Sequence, residues 1–330
     1  MLKFFKHSYI PQLVVIVLLI VVLWIPAFVS HVSEVAVGSP ITPLYNLVAA
    51  IFGSSSLALT IFTFAVFCAS VLIFNSILSV NQLVTRNSSI GAFMFVLCMS
   101  CVQIQDELYP FLLACPFIMM VLHTVYLIYQ VGKPEAYLMN SGFFIAMASM
   151  FYFPSILLII WVLLAMFVMD IKQLKHFLIP VLGFLFPYFI LFVFFYLNHS
   201  LIEKTNEYLL SFSEIGFEKL GVQTADLVVI LIVLALTWSS LMLIFSDKFD
   251  NSVATRKKVD ITIWLFVFAF MMLFMQKPVM CNGLMFMVLA IFLSMILCYF
   301  KKTKVIDIVI VAVMLAIIAN QYLPLFGVVL

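Results

Sequence analysis

The run "IPQLVVIVLLIVVLWIPAFVS", Ile10 to Ser30, contains no charged residue along its whole length. A helix of about 20 apolar residues is what it takes to cross the hydrocarbon core of a bilayer. Runs of this kind recur to the end of the chain, separated by short polar stretches. That repetition restricts the fold to a polytopic bundle of apolar helices. A membrane β-barrel would show short alternating segments instead. Composition closes the remaining route: at 66% hydrophobic and 9% charged, the chain has too little polar surface to coat a soluble core. Lys3 and Lys6 precede the first run and no A-x-A-like site follows it. It therefore reads as an uncleaved span rather than a signal peptide.

Spans are predicted near Tyr9–Ser30, Leu57–Val80, Ile90–Gln105, Tyr109–Gln130, Tyr137–Phe153, Pro154–Met169, Phe177–Leu197, Ala225–Phe245, Ile261–Met275, Val279–Phe300 and Val305–Tyr322. This gives an all-α, polytopic membrane protein of about 11 transmembrane helices, with residues 1–330 as a single integral domain. The third and ninth are short enough to be partly re-entrant. Charge sets the direction. Thirteen of the sixteen Lys and Arg residues fall on one side of this map, and only Lys204, Lys219 and Lys277 fall on the other. The positive-inside rule then places the N-terminus in the cytoplasm and the C-terminus outside. The location expected is a bacterial inner membrane.

On the external side lie a first loop, 31–56, the short "QDELYP", the turn "FYFP", and a long loop, 198–226. "PITPLYNLVAAIFG" in the first loop predicts a short juxtamembrane helix over Leu44–Phe52, started by its prolines. In the long loop, Glu203, Glu207, Glu214 and Glu218 fall within about 60° on a helical projection. If helical, that segment lies on the membrane with an acidic outer stripe. The largest inner loop, "SDKFDNSVATRKKVD", reads as an ordinary basic anchor at an anionic leaflet.

Chemistry needs ionisable groups, and few are placed to supply it. Glu34 stands in the first external loop, and Asp106 and Glu107 stand side by side in the second. A partly buried carboxylate can act as a general base, and a carboxylate pair can hold a divalent cation such as Mg or Mn. Asp106 and Glu107 equally suit the positive N-terminal end of the fourth span. His123 lies inside that span, with Thr124, Tyr126 and Tyr129 as neighbours. An ionisable side chain there marks function, or else a neutral ring hydrogen-bonded to another helix. Cys98 and Cys101 form a C-x-x-C without the further ligands a zinc site requires, so they read as small buried residues. Gly142 and Ala146, at four-residue spacing, read as a helix-packing face. The span interiors hold no Asp, Glu, Lys or Arg, which argues against an ion-coupled transporter. No phosphate-cradling Gly-rich loop, hydrolase or metalloprotease motif, or nucleic-acid signature occurs.

From Val80 to Leu197 the succession "NQLVTRN", "QDELYPFLLACPF", "YLIYQ" and "LMNSGFFIAMASMFYFPSILLIIWVLLAMF" resembles an uncharacterised family of polytopic inner-membrane proteins of the Bacteroidota. The layout also resembles, distantly, the membrane part of GT-C glycosyltransferases. That resemblance implies transfer from a polyprenyl-phosphate sugar to a glycan or lipid acceptor at the external face, for cell-envelope synthesis. It implies Glu34 as base, Asp106 and Glu107 as second-loop acids that orient substrate or hold a metal, and Lys204, Lys277 and His31 as substrate contacts. Two other readings stay open: a non-catalytic subunit or assembly factor of an envelope complex with other membrane proteins as partners, and a lipid flippase or transporter.

Overall fold

The computed structural model describes residues 4–5, 10–30, 34–35, 42–52, 55–85, 88–101, 107–129, 134–171, 173–202, 204–206, 238, 241–242, 253–273, 283–299 and 304–322. The architecture is helical. In chain order it runs α1 (Ile10–Ser30), β1 (Glu34–Val35), α2 (Pro43–Phe52), α3 (Ser56–Val80), α4 (Ile90–Ser100), β2 (Glu107–Leu108), α5 (Pro110–Ile128) and α6 (Glu135–Ser149). A 3-10 turn (Phe153–Leu157) then leads into α7 (Leu158–Val168), α8 (Leu174–Leu197), α9 (Val253–Leu273), α10 (Gly283–Tyr299) and α11 (Lys304–Tyr322). Among the described residues four helices are long and apolar enough to cross a membrane: Pro11–Val29, Leu57–Val80, Pro110–Ile128 and Leu174–Leu197.

Most helix boundaries follow from local chemistry. The Ser55 hydroxyl accepts the Ala58 N–H and caps α3. Pro110, whose missing N–H costs nothing in a first turn, opens α5. At the other end of α3 the chain reverses through Asn81 and a left-handed Gln82 (φ 58°), and the Leu83 N–H returns to the Leu78 carbonyl. This is a Schellman closure made without the usual glycine. The Asn75 side chain of α3 accepts the Ala92 N–H, an orphan donor in the first turn of α4.

Two boundaries differ from the sequence reading. The third span was expected to reach Gln105, but α4 ends at Ser100. Its 11 residues reach only about 16 Å, and every one is buried. It is an interior helix packed against α10, not a full crossing. The ninth span was expected to start at Ile261, but α9 starts at Val253, so Arg256, Lys257 and Lys258 are helical rather than part of a loop. The predicted eighth span falls on residues of which only Trp238, Leu241 and Met242 are described, all helical. The acidic stripe of 198–226 lies largely outside the described residues.

α5 forms the centre, with 72% of its apolar window buried, whereas α8 lies at the edge with 17%. α8 is held mainly by α6, and the two backbones nearly touch. A Cβ added at Gly142 would lie 1.9 Å from the Pro180 carbonyl oxygen, and one at Gly183 would lie 2.2 Å from the Met139 carbonyl oxygen. The expected packing role of Gly142 is thus met by a partner glycine on α8.

Contacts between turns sort the chain into two ends. At one, Glu34 pairs with Glu107. There too the Thr42 hydroxyl donates to the Phe151 carbonyl (3.1 Å), the Leu44 N–H to the Met150 carbonyl (3.2 Å), and the Gln321 amide to the Ser100 carbonyl (3.1 Å). At the other, the Ser89 N–H donates to the Phe5 carbonyl (3.2 Å), Thr85 meets Cys298 (3.4 Å), Asp170 pairs with Lys257, and His176 meets Glu135 (3.3 Å). The described parts of the predicted first loop, "QDELYP" and "FYFP" meet at the first end.

Two outcomes check this packing. Gly142→Ala should lower the apparent melting midpoint of the detergent-solubilised protein, since two backbones must part; the destabilisation expected is about 1–3 kcal/mol. Gly91→Ala should cost less, because its new Cβ meets the movable end of Leu78. The second outcome concerns pH. The backbone N–H of Glu135 itself and the His176 ring hold the Glu135 carboxyl below its ordinary value. A carboxyl depressed in the folded state adds stability above its unfolded pKa and loses it as pH falls through the folded one. The advantage of the native chain over Glu135→Gln in melting midpoint should be full above the ordinary carboxyl range and shrink as pH falls below it.

Candidate functional site

The two external acids that lie far apart in sequence are brought together by the backbone. β1 and β2 pair in parallel, with Glu34 opposite Glu107 and Val35 opposite Leu108. Paired strands run about 4.8 Å apart, so two acidic residues occupy directly adjacent backbone positions. The sequence holds the ingredients of this pairing but no information on their distance, which depends on how α1, α4 and α5 pack.

Glu107 stands just before the N-terminus of α5 without being its cap residue, and Asp106 lies outside the described residues. The cap position of α5 is Tyr109, without a side-chain cap bond, and no acidic residue stands in the first turn. Glu107 belongs to the strand. α2 sits beside this end, one residue longer than expected, fixed to the turn after α6 by Thr42 and Leu44. Phe111, in the first turn of α5, stacks edge-on against Tyr152 (5.5 Å) and fills the space beside Gly283. Acid pair, juxtamembrane helix and the start of α5 therefore share one end of the bundle. Of the remaining candidates, Lys204 is half-buried in a short helical stretch at the same end. Asp106, His31 and Lys277 lie outside the described residues.

At the opposite end the structure shows a polar network that the sequence reading missed. Lys258, expected in a solvated anchor loop, is 2% exposed. Its ammonium donates to the Asn81 backbone carbonyl (2.9 Å) and faces Asn81 Oδ1 (3.4 Å). It thereby places a cation at the negative C-terminal end of α3. Asn81 Nδ2 reaches the Ile77 carbonyl (2.8 Å) and His123 Nδ1 (3.2 Å). The Lys258 carbonyl accepts from the Thr262 hydroxyl (2.7 Å), and Thr262 meets the Tyr126 hydroxyl (2.5 Å). His123 is thus partnered from another helix end, not by its expected neighbours. Thr124 bonds its own helix at Val121, Tyr126 turns to Thr262, and Tyr129 lies under the Lys257 ammonium at 4.9 Å. Nothing local in "RKKVDIT" signals this burial, since α9 is apolar on every face beyond its first turns.

Cys98 is buried, as expected of a small packing residue, whereas Cys101, just past the end of α4, is exposed; both are free thiols, and Cys101 donates to the Leu97 carbonyl (3.3 Å). Among the described residues no group of His, Cys, Asp and Glu is arranged to hold a metal ion.

No family model matches the chain, and no curated protein or solved structure matches it.

A substitution separates the Lys258 network from a merely solvated anchor. Lys258→Ala should lower stability by about 1–3 kcal/mol, because the Asn81 carbonyl and amide lose a donor in a buried setting. Arg256→Ala, on the exposed face of the same turn, should change the melting midpoint little.

Proposed function

We propose that the chain is a GT-C-like glycosyltransferase of a bacterial inner membrane. In this reading its N-terminus is cytoplasmic and the Glu34–Glu107 end faces outward. The observation that carries it is the parallel register setting Glu34 against Glu107. Like charges directly opposite one another in a ladder are destabilising. A chain with 14 acidic residues in 330 has little reason to oppose two of them without a use for both. The neighbouring α2 supports the same reading, since it docks a short helix of the first loop beside the acids.

The chemistry divides between the two acids. The carboxylate of Glu34 takes the proton of an acceptor hydroxyl as that oxygen attacks the anomeric carbon of the donor. The bond from the anomeric carbon to the phosphate oxygen breaks, and polyprenyl phosphate leaves with the electron pair. Glu107 and Asp106 orient the phosphate-bearing side of the donor, and Lys204, Lys277 and His31 supply positive charge and hydrogen-bond donors to it. Carboxylate oxygens are the ligands Mg and Mn prefer, and such an ion, bound by Asp106 and Glu107, would neutralise charge on the leaving phosphate. The lipid tail of the donor suits entry from the bilayer.

Transfer of sugar from a polyprenyl-phosphate donor, followed in the purified protein or in a deletion strain, tests this. Loss of a general base removes about 10²–10⁴-fold in rate, so Glu34→Gln should fall by at least the lower figure. Asp106→Asn should fall with it. Full activity in both variants removes the assignment. A second reading, a non-catalytic subunit of an envelope complex, is favoured by one feature: Arg86 and Arg256, the only arginines, both fall on the basic side of the charge map, which leaves the external end without the usual bidentate phosphate ligand. A detergent pull-down that returns other envelope proteins with this chain, from cells in which both variants keep wild-type glycan, is the outcome that reading expects.

A further inference from the structure

The polar network at the end opposite the acid pair assigns a state to His123 that hydrogen-bond direction alone determines. An ammonium only donates, so the Asn81 side-chain atom facing Lys258 Nζ is the carbonyl oxygen Oδ1. The backbone carbonyl of Ile77 only accepts, so the atom 2.8 Å from it is the amide nitrogen Nδ2. These two anchors, one on each side of the amide, agree and exclude the flipped orientation. One hydrogen of Nδ2 goes to Ile77, and the other points at His123 Nδ1, 3.2 Å away. A donor meeting Nδ1 requires a lone pair there. Nδ1 therefore carries no proton, and the single proton of the ring is on Nε2.

The groups around the ring agree with this. α3 faces it through Asn81 and presents no charged side chain in the contact. α9 faces it with Lys258, which lies over the Tyr126 ring at 6.0 Å. Of the other cations in the first turns of α9, Lys257 is paired with Asp170 and Arg256 is exposed. On its own helix the nearest polar groups, Thr124 and Tyr126, are engaged with Val121 and Thr262.

We propose that Lys258 is a positioning residue which, through the Asn81 amide, fixes His123 as the neutral Nε2–H tautomer, so that His123 is a one-way donor to an oxygen acceptor. While Lys258 is charged, His123 offers neither a base nor a metal ligand at Nδ1. Its half-buried ring makes no hydrogen bond other than that at Nδ1 among the described residues. Nε2–H is then the remaining donor of the ring, and an oxygen atom is the acceptor that fits it. The left-handed Gln82, next to Asn81, is held in a backbone conformation that a non-glycine residue seldom adopts. It keeps the Asn81 carbonyl and amide together in front of Lys258.

The test is nitrogen NMR of full-length protein labelled with 15N-histidine, in detergent at neutral pH, with the His123 signals assigned by difference against His123→Gln. The native chain should show an unprotonated Nδ1 and a protonated Nε2. In Asn81→Asp the facing group can only accept, so Nδ1 should gain a proton and its resonance should move to the protonated range. In Lys258→Met the amide keeps only its Ile77 anchor, so a fraction of Nδ1-protonated ring should appear beside the native tautomer. A native spectrum with Nδ1 protonated overturns the proposal even if both variants fail to fold. So does an Asn81→Asp spectrum in which Nδ1 stays bare.

Discussion

In a chain this apolar, burial cannot tell one helix from another, since almost every face of every helix is greasy. Placement has to come from the few positions where backbones can approach closely or where polar groups must find partners. The structure uses both. Gly142 and Gly183 let α6 and α8 meet at backbone contact, with the carbonyls of Pro180 and Met139 in the spaces a side chain would occupy. Polar pairs then fix the two ends, through Asn81 with Lys258 and His123 at one and through the β1–β2 ladder and Thr42 at the other. Between them α4 and α10 fill the centre with side chains that are almost entirely buried.

This division gives the two ends different characters. The end with Lys258 is fastened by hydrogen bonds between helices: a buried cation at a helix C-terminus and an amide oriented from both sides. The opposite end sets two acidic residues side by side with a short docked helix next to them. Hydrogen-bonded groups such as these make a structural fastening, whereas the register at the other end brings two acidic positions together. That contrast is the physical basis for placing the proposed chemistry at the Glu34–Glu107 end.

Much of the framework was legible in the sequence because it depends on local patterns. The bounds of α1, α3 and α5 follow from apolar run length, and α2 follows from the prolines before "LYNLVAAIF". The sorting of loops into two groups follows from alternation and agrees with the contacts at both ends. Failures occur where tertiary packing overrides local composition. α4 ends early, at Ser100, although the apolar run continues past it. Lys258 was assigned to solvent because a lysine beside another lysine and an arginine usually is solvated. Only the position of Asn81, more than 170 residues away in sequence, turns it inward. The candidate site was legible as residue types but not as a place. Glu34, Asp106 and Glu107 could be named, yet the register joining Glu34 to Glu107 rests on the packing of three helices.

The parallel register of Glu34 and Glu107 can be measured by cross-linking. Replacing Glu34 and Glu107 together by cysteine, in a chain whose six native cysteines are changed to serine or alanine, places two thiols at paired strand positions. Such positions fall within the Cα separation of about 4.4–6.8 Å that a disulfide requires. Mild oxidation in membranes should close the 34–107 bond rapidly, and a 35–107 pair, whose side chains leave opposite faces of the ladder, should close much more slowly. Failure of the 34–107 pair to oxidise, or equal rates for the two pairs, would contradict the account and take from the proposed active site the geometry on which it rests.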